Sequence, residues 1–155
     1  MAPVQLDDFD RKILRHLQAD NHQPLHQIAR DVNLSAASVQ RRIRRMEMDK
    51  VIEANAAVVN PMSVGRFITL IVEVHLDSEQ ANFLDAARKQ FADTPEVQQC
   101  YYVTGAADFI LIITVETMEE YAQLSHRLFL NNRNVKRFST SVAMSRVKVG
   151  LSVPL

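Results

Sequence analysis

Apolar residues in the first fifty positions recur three and four apart, never in alternation. Ile13, Leu14 and Leu17 make one such stripe. Asp7, Asp8 and Asp10 precede it, and carboxylates at a helix start complement the helix dipole. Asn21 to Pro24 breaks the stripe. Leu25, Ile28, Ala29 and Val32 mark a short second helix, and Asn33-Leu34 a tight turn. Ser35 is a good N-cap for a third helix, on which Val39, Ile43 and Met46 line up.

Beyond about residue 60 the pattern changes. Ile68, Leu70, Val72, Val74 and Leu76 alternate with Thr69, Ile71, Glu73 and His75, as in a strand with one buried face. Phe83, Leu84, Ala87 and Phe91 return to helical spacing. Val97–Thr104 and Phe109–Val115 read as two strands around a tight turn at Gly105-Ala106-Ala107-Asp108. Met118, Tyr121, Leu124, Leu128 and Phe129 form a second helical stripe, and residues 135–148 a long last strand. An additional strand is expected over Val51–Val59, and Asn60-Pro61 to Gly65 reads as a hinge. The fold class is therefore α+β. Residues 1–60 form a helix-turn-helix unit with a following strand, and residues 61–155 a ferredoxin-like βαββαβ unit.

Both helices of that arrangement cover one face of the sheet. Phe109-Ile110-Leu111-Ile112-Ile113 is nevertheless apolar on both faces. A second copy packing sheet to sheet would bury the outer side chains, so a homodimer is expected. The alternative is that the tail or the N-terminal unit covers them.

Composition narrows the chemistry. Lysine plus arginine and aspartate plus glutamate each number 18, so any attraction to nucleic acid rests on where the charge sits. It sits on the third helix. Arg41, Arg42, Arg44 and Arg45 follow Ser35-Ala36-Ala37-Ser38, and no acid appears before Glu47. At about 100° per residue, Ala37, Ser38, Arg41, Arg44 and Arg45 lie opposite the apolar stripe, with Arg42 at the flank. Ala36, Ala37 and Ser38 permit close entry into a major groove of double-stranded DNA. Gln40 and Arg41 have the reach for base edges, and Arg42, Arg44 and Arg45 for phosphates. His26 and Gln27 lie on the preceding helix, within reach of the backbone. A basic, merely solvated helix face is the plainer reading of four arginines. The order of helix, short helix, Asn-Leu-Ser turn and arginine-bearing helix favours DNA.

Other classes find little support. The three glycines are scattered, which excludes a clustered phosphate-cradling loop. Cys100, the only cysteine, has no motif partner, and its solitude favours a reducing compartment. His22 and His26 have metal-pair spacing, but Pro24 lies between them and no further ligand joins them; no metal or cofactor is expected. Asp8 and Asp10 read as helix-start residues rather than general bases. No nucleophile, base and orienting group appear together, so an enzyme is not expected. Met1-Ala2-Pro3-Val4 with the acids that follow does not resemble a targeting segment, and no apolar run reaches membrane-spanning length. A cytoplasmic protein without membrane contact is expected.

Taken in order, several of these stretches resemble the Lrp/AsnC (leucine-responsive/asparagine regulator, feast/famine) family. They are Leu6-Asp7-Asp8-Phe9-Asp10-Arg11-Lys12-Ile13-Leu14; Ile28-Ala29 with Val32-Asn33-Leu34-Ser35; Val39 with Arg41-Arg42-Ile43; Val103-Thr104-Gly105 with Asp108; and Leu151-Ser152-Val153-Pro154-Leu155. The resemblance implies a bacterial or archaeal, nucleoid-associated transcription regulator. It implies a winged-type helix-turn-helix joined to a ferredoxin-like ligand domain. It further implies dimers assembling to octamers, and an amino-acid effector held in crevices where ligand domains meet. Carried onto this chain, Thr104, Gly105, Ala106 and Asp108 become effector-binding candidates, with Tyr101, Thr140 and Ser141 as weaker ones. Thr104 and the turn amides suit a carboxylate, and Asp108 an ammonium. Gly105 can equally serve only the turn, and Asp108 only cap nearby amides. Lys50 and Ala54 stand where the family usually has glycine, and Glu53 and Asn55 also depart from its pattern. Rival readings are an architectural nucleoid-type protein without an effector, and an amino-acid-sensing subunit or small enzyme on a ferredoxin-like scaffold.

Overall fold

The computed structural model describes residues 4–155; Met1–Pro3, with which the N-terminal segment unlike a targeting signal begins, lie outside the described residues. The chain divides into two compact units. One runs to Val58 and takes back Val149–Leu155; the other is Val59–Lys148.

The first unit is three helices, α1 (Asp8–Ala19), α2 (Leu25–Val32) and α3 (Ala36–Met48). The acids at the start of α1 form a capping box. Asp7 accepts from the Asp10 amide at 2.8 Å, and Asp10 accepts from the Asp7 amide at 3.1 Å. α2 closes through Asn33, whose φ of 59° is left-handed, and Leu34 donates back to the Ala29 carbonyl at 2.9 Å. Asparagine tolerates that conformation better than most residues. The next residue, Ser35, caps α3 by accepting from the Ser38 amide at 3.2 Å. The helix-to-helix turn is thus built from Asn33, Leu34 and Ser35. Ile13, Leu14, Ile28, Ala29, Val32, Val39 and Met46 form the core of this unit.

α3 ends in a Schellman motif. The Val51 amide donates to Met46 at 2.8 Å and the Lys50 amide to Glu47 at 3.2 Å. Lys50 supplies the left-handed residue, with φ 58°, and Val51 packs onto the core. The position that usually takes glycine keeps its backbone conformation with a lysine side chain in place. The strand expected over Val51–Val59 is not formed, so no wing hairpin follows α3 among the described residues. A strand needs a neighbouring backbone for its amides and carbonyls, and among the described residues no segment of this unit pairs with that stretch. The C-terminal tail, expected with the ligand domain, packs with the first unit instead. Arg15 donates twice to the Leu155 carbonyl, at 2.9 and 2.8 Å. Gln18 exchanges two bonds with the Val153 backbone.

The second unit is β1 (Ile68–Leu76), α4 (Ala81–Ala92), β2 (Val97–Tyr102), β3 (Phe109–Val115), α5 (Met118–Ser125) and β4 (Val135–Val142). The sheet is antiparallel in the order β2-β3-β1-β4, the ferredoxin-like arrangement. Leu70, Val72, Val74, Phe109, Leu111 and Ile113 point to one face and pack on Ala87, Phe91, Tyr121, Leu124, Leu128 and Phe129. β4 stops six residues before Lys148, where the long strand was expected to end. Val142 pairs with Leu70 and the Ala143 amide still reaches Thr69, but β1 begins at Ile68 and offers nothing further to pair with.

The opposite face carries Ile71, Ile110, Ile112 and Tyr101. Within this unit no helix covers them, and Ile71 remains 39% and Tyr101 50% exposed. Among the described residues no helix is long and apolar enough to cross a membrane.

Candidate nucleic-acid interface and effector turn

The outer face of α3 presents Ala36, Ala37, Gln40, Arg41 and Arg44 to solvent, with Ser38 half-buried. The hydroxyl of Ser35 is committed to the cap. Arg41 and Arg44 have no ion-pair partner among the described residues. Two small residues at the N-terminal end followed by two unpaired guanidinium groups make a surface that can enter a groove and donate to base edges or phosphates. On α2, His26 is exposed and Gln27 half-buried.

Arg42 and Arg45 are placed differently from the sequence expectation. Arg42 Nη1 donates to Asp7 at 2.7 Å and to Asp10 at 2.8 Å. Arg45 Nη2 donates to the other oxygen of Asp10 at 2.5 Å. Asp10 is 1% exposed, while the Arg42 and Arg45 side chains are 20% and 43% exposed. A nearly buried carboxylate needs cationic partners, and α3 supplies two of them one turn apart. The Arg42 guanidinium also lies 5.5 Å from the Phe9 ring centroid. The Asp10 amide, and then Arg42, hold Asp7 below the ordinary carboxylate range, while the bonds to Asp10 and then Asp7 raise Arg42. Of the four arginines expected at DNA, Arg42 is thus bound within the protein and Arg45 partly so. The signal was present in the sequence. Asp10 lies three and four residues before Ile13 and Leu14, which puts it on the buried stripe of α1.

In the second unit the turn between β2 and β3 has Gly105 at φ 139°, a conformation that L side chains rarely adopt. Thr104, Gly105 and Ala106 are exposed. Asp108 has a structural task already. Its Oδ2 accepts from the Leu76 amide at 2.6 Å, while its backbone bonds Val74 and Val103. The carboxylate expected for an ammonium group therefore also caps the end of β1.

The remaining effector candidates are not gathered at this turn. Thr140 faces the helices, and its hydroxyl shares a 2.5 Å hydrogen bond with Tyr121. Ser141 lies beside Ile71 on the open face, on the edge strand β4. Tyr101 pairs with Ile110 on β2, the other edge. Three strand spacings of about 4.8 Å separate β2 from β4, roughly 14 Å in all. One chain by itself does not bring Tyr101, Ser141 and the turn around one small ligand.

Cys100 pairs with Leu111 on the helix-covered face, and burial pushes its thiol pKa up, which disfavours a reactive thiolate. His22 is exposed, as is His26, and the described residues hold no group of three or more metal-ligating side chains.

Comparison with known proteins covers almost the whole chain. A profile of the AsnC-type helix-turn-helix domain matches residues 6–47, and one of the Lrp/AsnC ligand binding domain matches residues 69–153. An uncharacterised HTH-type transcriptional regulator of Sinorhizobium fredii is 41% identical over 98% of this chain and 90% of its own length. The crystal structure of an AsnC family transcriptional regulator from Agrobacterium tumefaciens superposes with a TM-score of 0.89 at 30% identity, over 96% of this chain and 97% of that one. A transcriptional regulator from Neisseria meningitidis, solved as its L-Met complex, superposes equally well (TM-score 0.89). It covers 97% of each chain at 23% identity, a likeness of fold.

Proposed function

The chain belongs to the Lrp/AsnC family of helix-turn-helix transcription regulators, and from that premise we propose that it reads double-stranded DNA through the exposed face of α3 and answers to an amino acid through its ligand-binding domain. The observation that carries the first half is the exposed Arg41 and Arg44 on α3, without an ion-pair partner among the described residues, behind the small residues Ala36 and Ala37. Gln40 and Arg41 take base edges, and Arg44 takes a phosphate.

The working form is a homodimer joined through the open sheet face of Ile71, Ile110, Ile112 and Tyr101, with octamers as the higher assembly. Two recognition helices then meet half-sites about one helical turn of DNA apart. The effector sits where ligand domains meet, on Thr104, Gly105 and Ala106 of one copy. The roughly 14 Å between β2, which leads into the turn, and β4 supports a site completed by a second copy, which supplies Ser141. An effector acts only by preferring one assembly over another. The Neisseria meningitidis relative, seen with L-Met, suggests an α-amino acid as the ligand class. The protein works in the cytoplasm on the nucleoid, and the names of its relatives support a regulator and not an enzyme.

Nuclease footprinting on the DNA upstream of the chain's own gene tests the first half. A protected site with two half-sites spaced by whole helical turns is expected; no protected site at low salt overturns it. A thermal-shift panel of the common amino acids tests the second half. A shift with one or a few is expected. No shift with any, together with uniform coating of DNA, favours an architectural protein without an effector.

A further inference from the structure

Resting on the reading of α3 as the recognition helix, we propose that Asp10 is a positioning residue for DNA recognition that withholds two of the four α3 arginines from the phosphate backbone. Its side chain is buried and engages Arg42 Nη1 and Arg45 Nη2 through separate oxygens, at 2.8 and 2.5 Å. Asp7 adds a second carboxylate to Arg42 at 2.7 Å. Those contacts do two things. They fix the rotation of α3 against the start of α1, so that the Arg41 and Arg44 face points outward. They also neutralise the flank of α3, leaving Arg41 and Arg44 as its unpaired cations.

The consequence is for specificity. Phosphate contacts raise affinity for any sequence and make binding steeply salt-dependent, whereas base contacts discriminate. Arginines held on a buried carboxylate contribute to neither. Asp10 therefore keeps non-specific binding low on a helix that carries four arginines.

The test is Asp10→Asn, which retains a side-chain acceptor for the capping box and removes the charge. Binding to a random-sequence duplex is measured by fluorescence anisotropy from 50 to 200 mM salt. Releasing both arginines steepens the slope of log K against log salt by up to about 1.8. The variant then loses about tenfold more affinity over that range than the unaltered protein. Its affinity at 50 mM is expected to rise, and its preference for a footprinted site over random DNA to fall. A purely structural Asp10 predicts weaker binding with an unchanged slope, and that result overturns the proposal. Where circular dichroism shows Asp10→Asn unfolded, Arg42→Gln decides. An unchanged slope supports the proposal, and a slope shallower by about 0.9 shows Arg42 on a phosphate and overturns it. Absence of DNA binding by the unaltered protein overturns the recognition-helix reading and this inference with it; a failed slope test overturns only the inference.

Discussion

Lys50 holds a left-handed conformation at φ 58° in the motif that ends α3, and replacing it with glycine relieves a definable strain. A β-carbon in that region costs about 1–2 kcal/mol. Glycine returns part of the gain, because its unfolded chain is freer by about 0.5–1 kcal/mol. Lysine near a helix C-terminus also contributes roughly 0.3–1 kcal/mol through the helix dipole, which glycine forfeits. Comparing Lys50→Gly with Lys50→Ala cancels the charge and leaves the backbone. The glycine variant should be the more stable by about 0.5–1 kcal/mol. Against the unaltered protein the backbone gain and the lost dipole contribution nearly cancel, leaving a change between about −0.5 and +0.7 kcal/mol. For a unit of this size the difference between the variants is roughly 2–8 °C in Tm. Lys50 is exposed and its side chain makes no hydrogen bond among the described residues, so no other contact intrudes. Differential scanning calorimetry of the two variants at equal concentration is the assay. Equal melting, or an alanine variant that melts higher, would falsify the left-handed assignment at Lys50.

Three other consequences concern the remaining unusual contacts. A chain stopped after Lys148 loses the partly buried Leu155 packed against the core of the first unit, and the bonds to Arg15 and Gln18. The helical unit is expected to lose about 1 kcal/mol of stability, less than the roughly 1.5–3 kcal/mol of a fully buried aliphatic side chain, with the sheet unit unchanged by near-ultraviolet circular dichroism. Asp108→Ala removes the acceptor for the Leu76 amide, a bond to a charged group worth about 1.5–3 kcal/mol. Urea unfolding measures that loss, and an unaltered midpoint rules out the capping role. Because its partners hold Asp7 below its ordinary pKa, Asp7 stabilises the fold above the unfolded carboxylate value near 4, and that contribution disappears as pH falls through the folded value. Acid titration of Asp7→Asn beside the unaltered protein should show the two converging below pH 4 and the variant weaker at pH 7.

Much of the molecule was legible from periodicity. The three helices of the first unit and the order of strands and helices in the second follow from which residues recur at three and four, or at two. Phe109–Val115 announced its two apolar faces, and the structure leaves the outer one without a helix. The extra strand over Val51–Val59 failed because strand formation is a property of two backbones, and sequence alternation describes only one. Residues past Val142 failed for the same reason, since β1 begins only at Ile68 and leaves them no backbone to pair with. The tail's return to the first unit was invisible because no local pattern encodes a contact 140 residues away. At the recognition helix, angular position separated core from surface but not a free arginine from one held by Asp10. That distinction needed the apolar register of α1, where Asp10 occupies a buried place and must be neutralised. At the effector turn, residue chemistry named suitable donors and acceptors. Strand order then showed that Tyr101 and Ser141 stand at opposite edges of the sheet.

Whether α3 reads DNA through Arg41 and Arg44 is settled most directly by one affinity measurement. Arg41→Ala with Arg44→Ala should leave the melting temperature in place, since neither side chain is paired. Binding to the footprinted duplex in 100 mM salt should weaken by at least about thirtyfold, the loss of one base contact and one phosphate contact. A folded double variant that binds within about threefold of the unaltered protein contradicts the assignment, because that is less than the discrimination of a single good base contact.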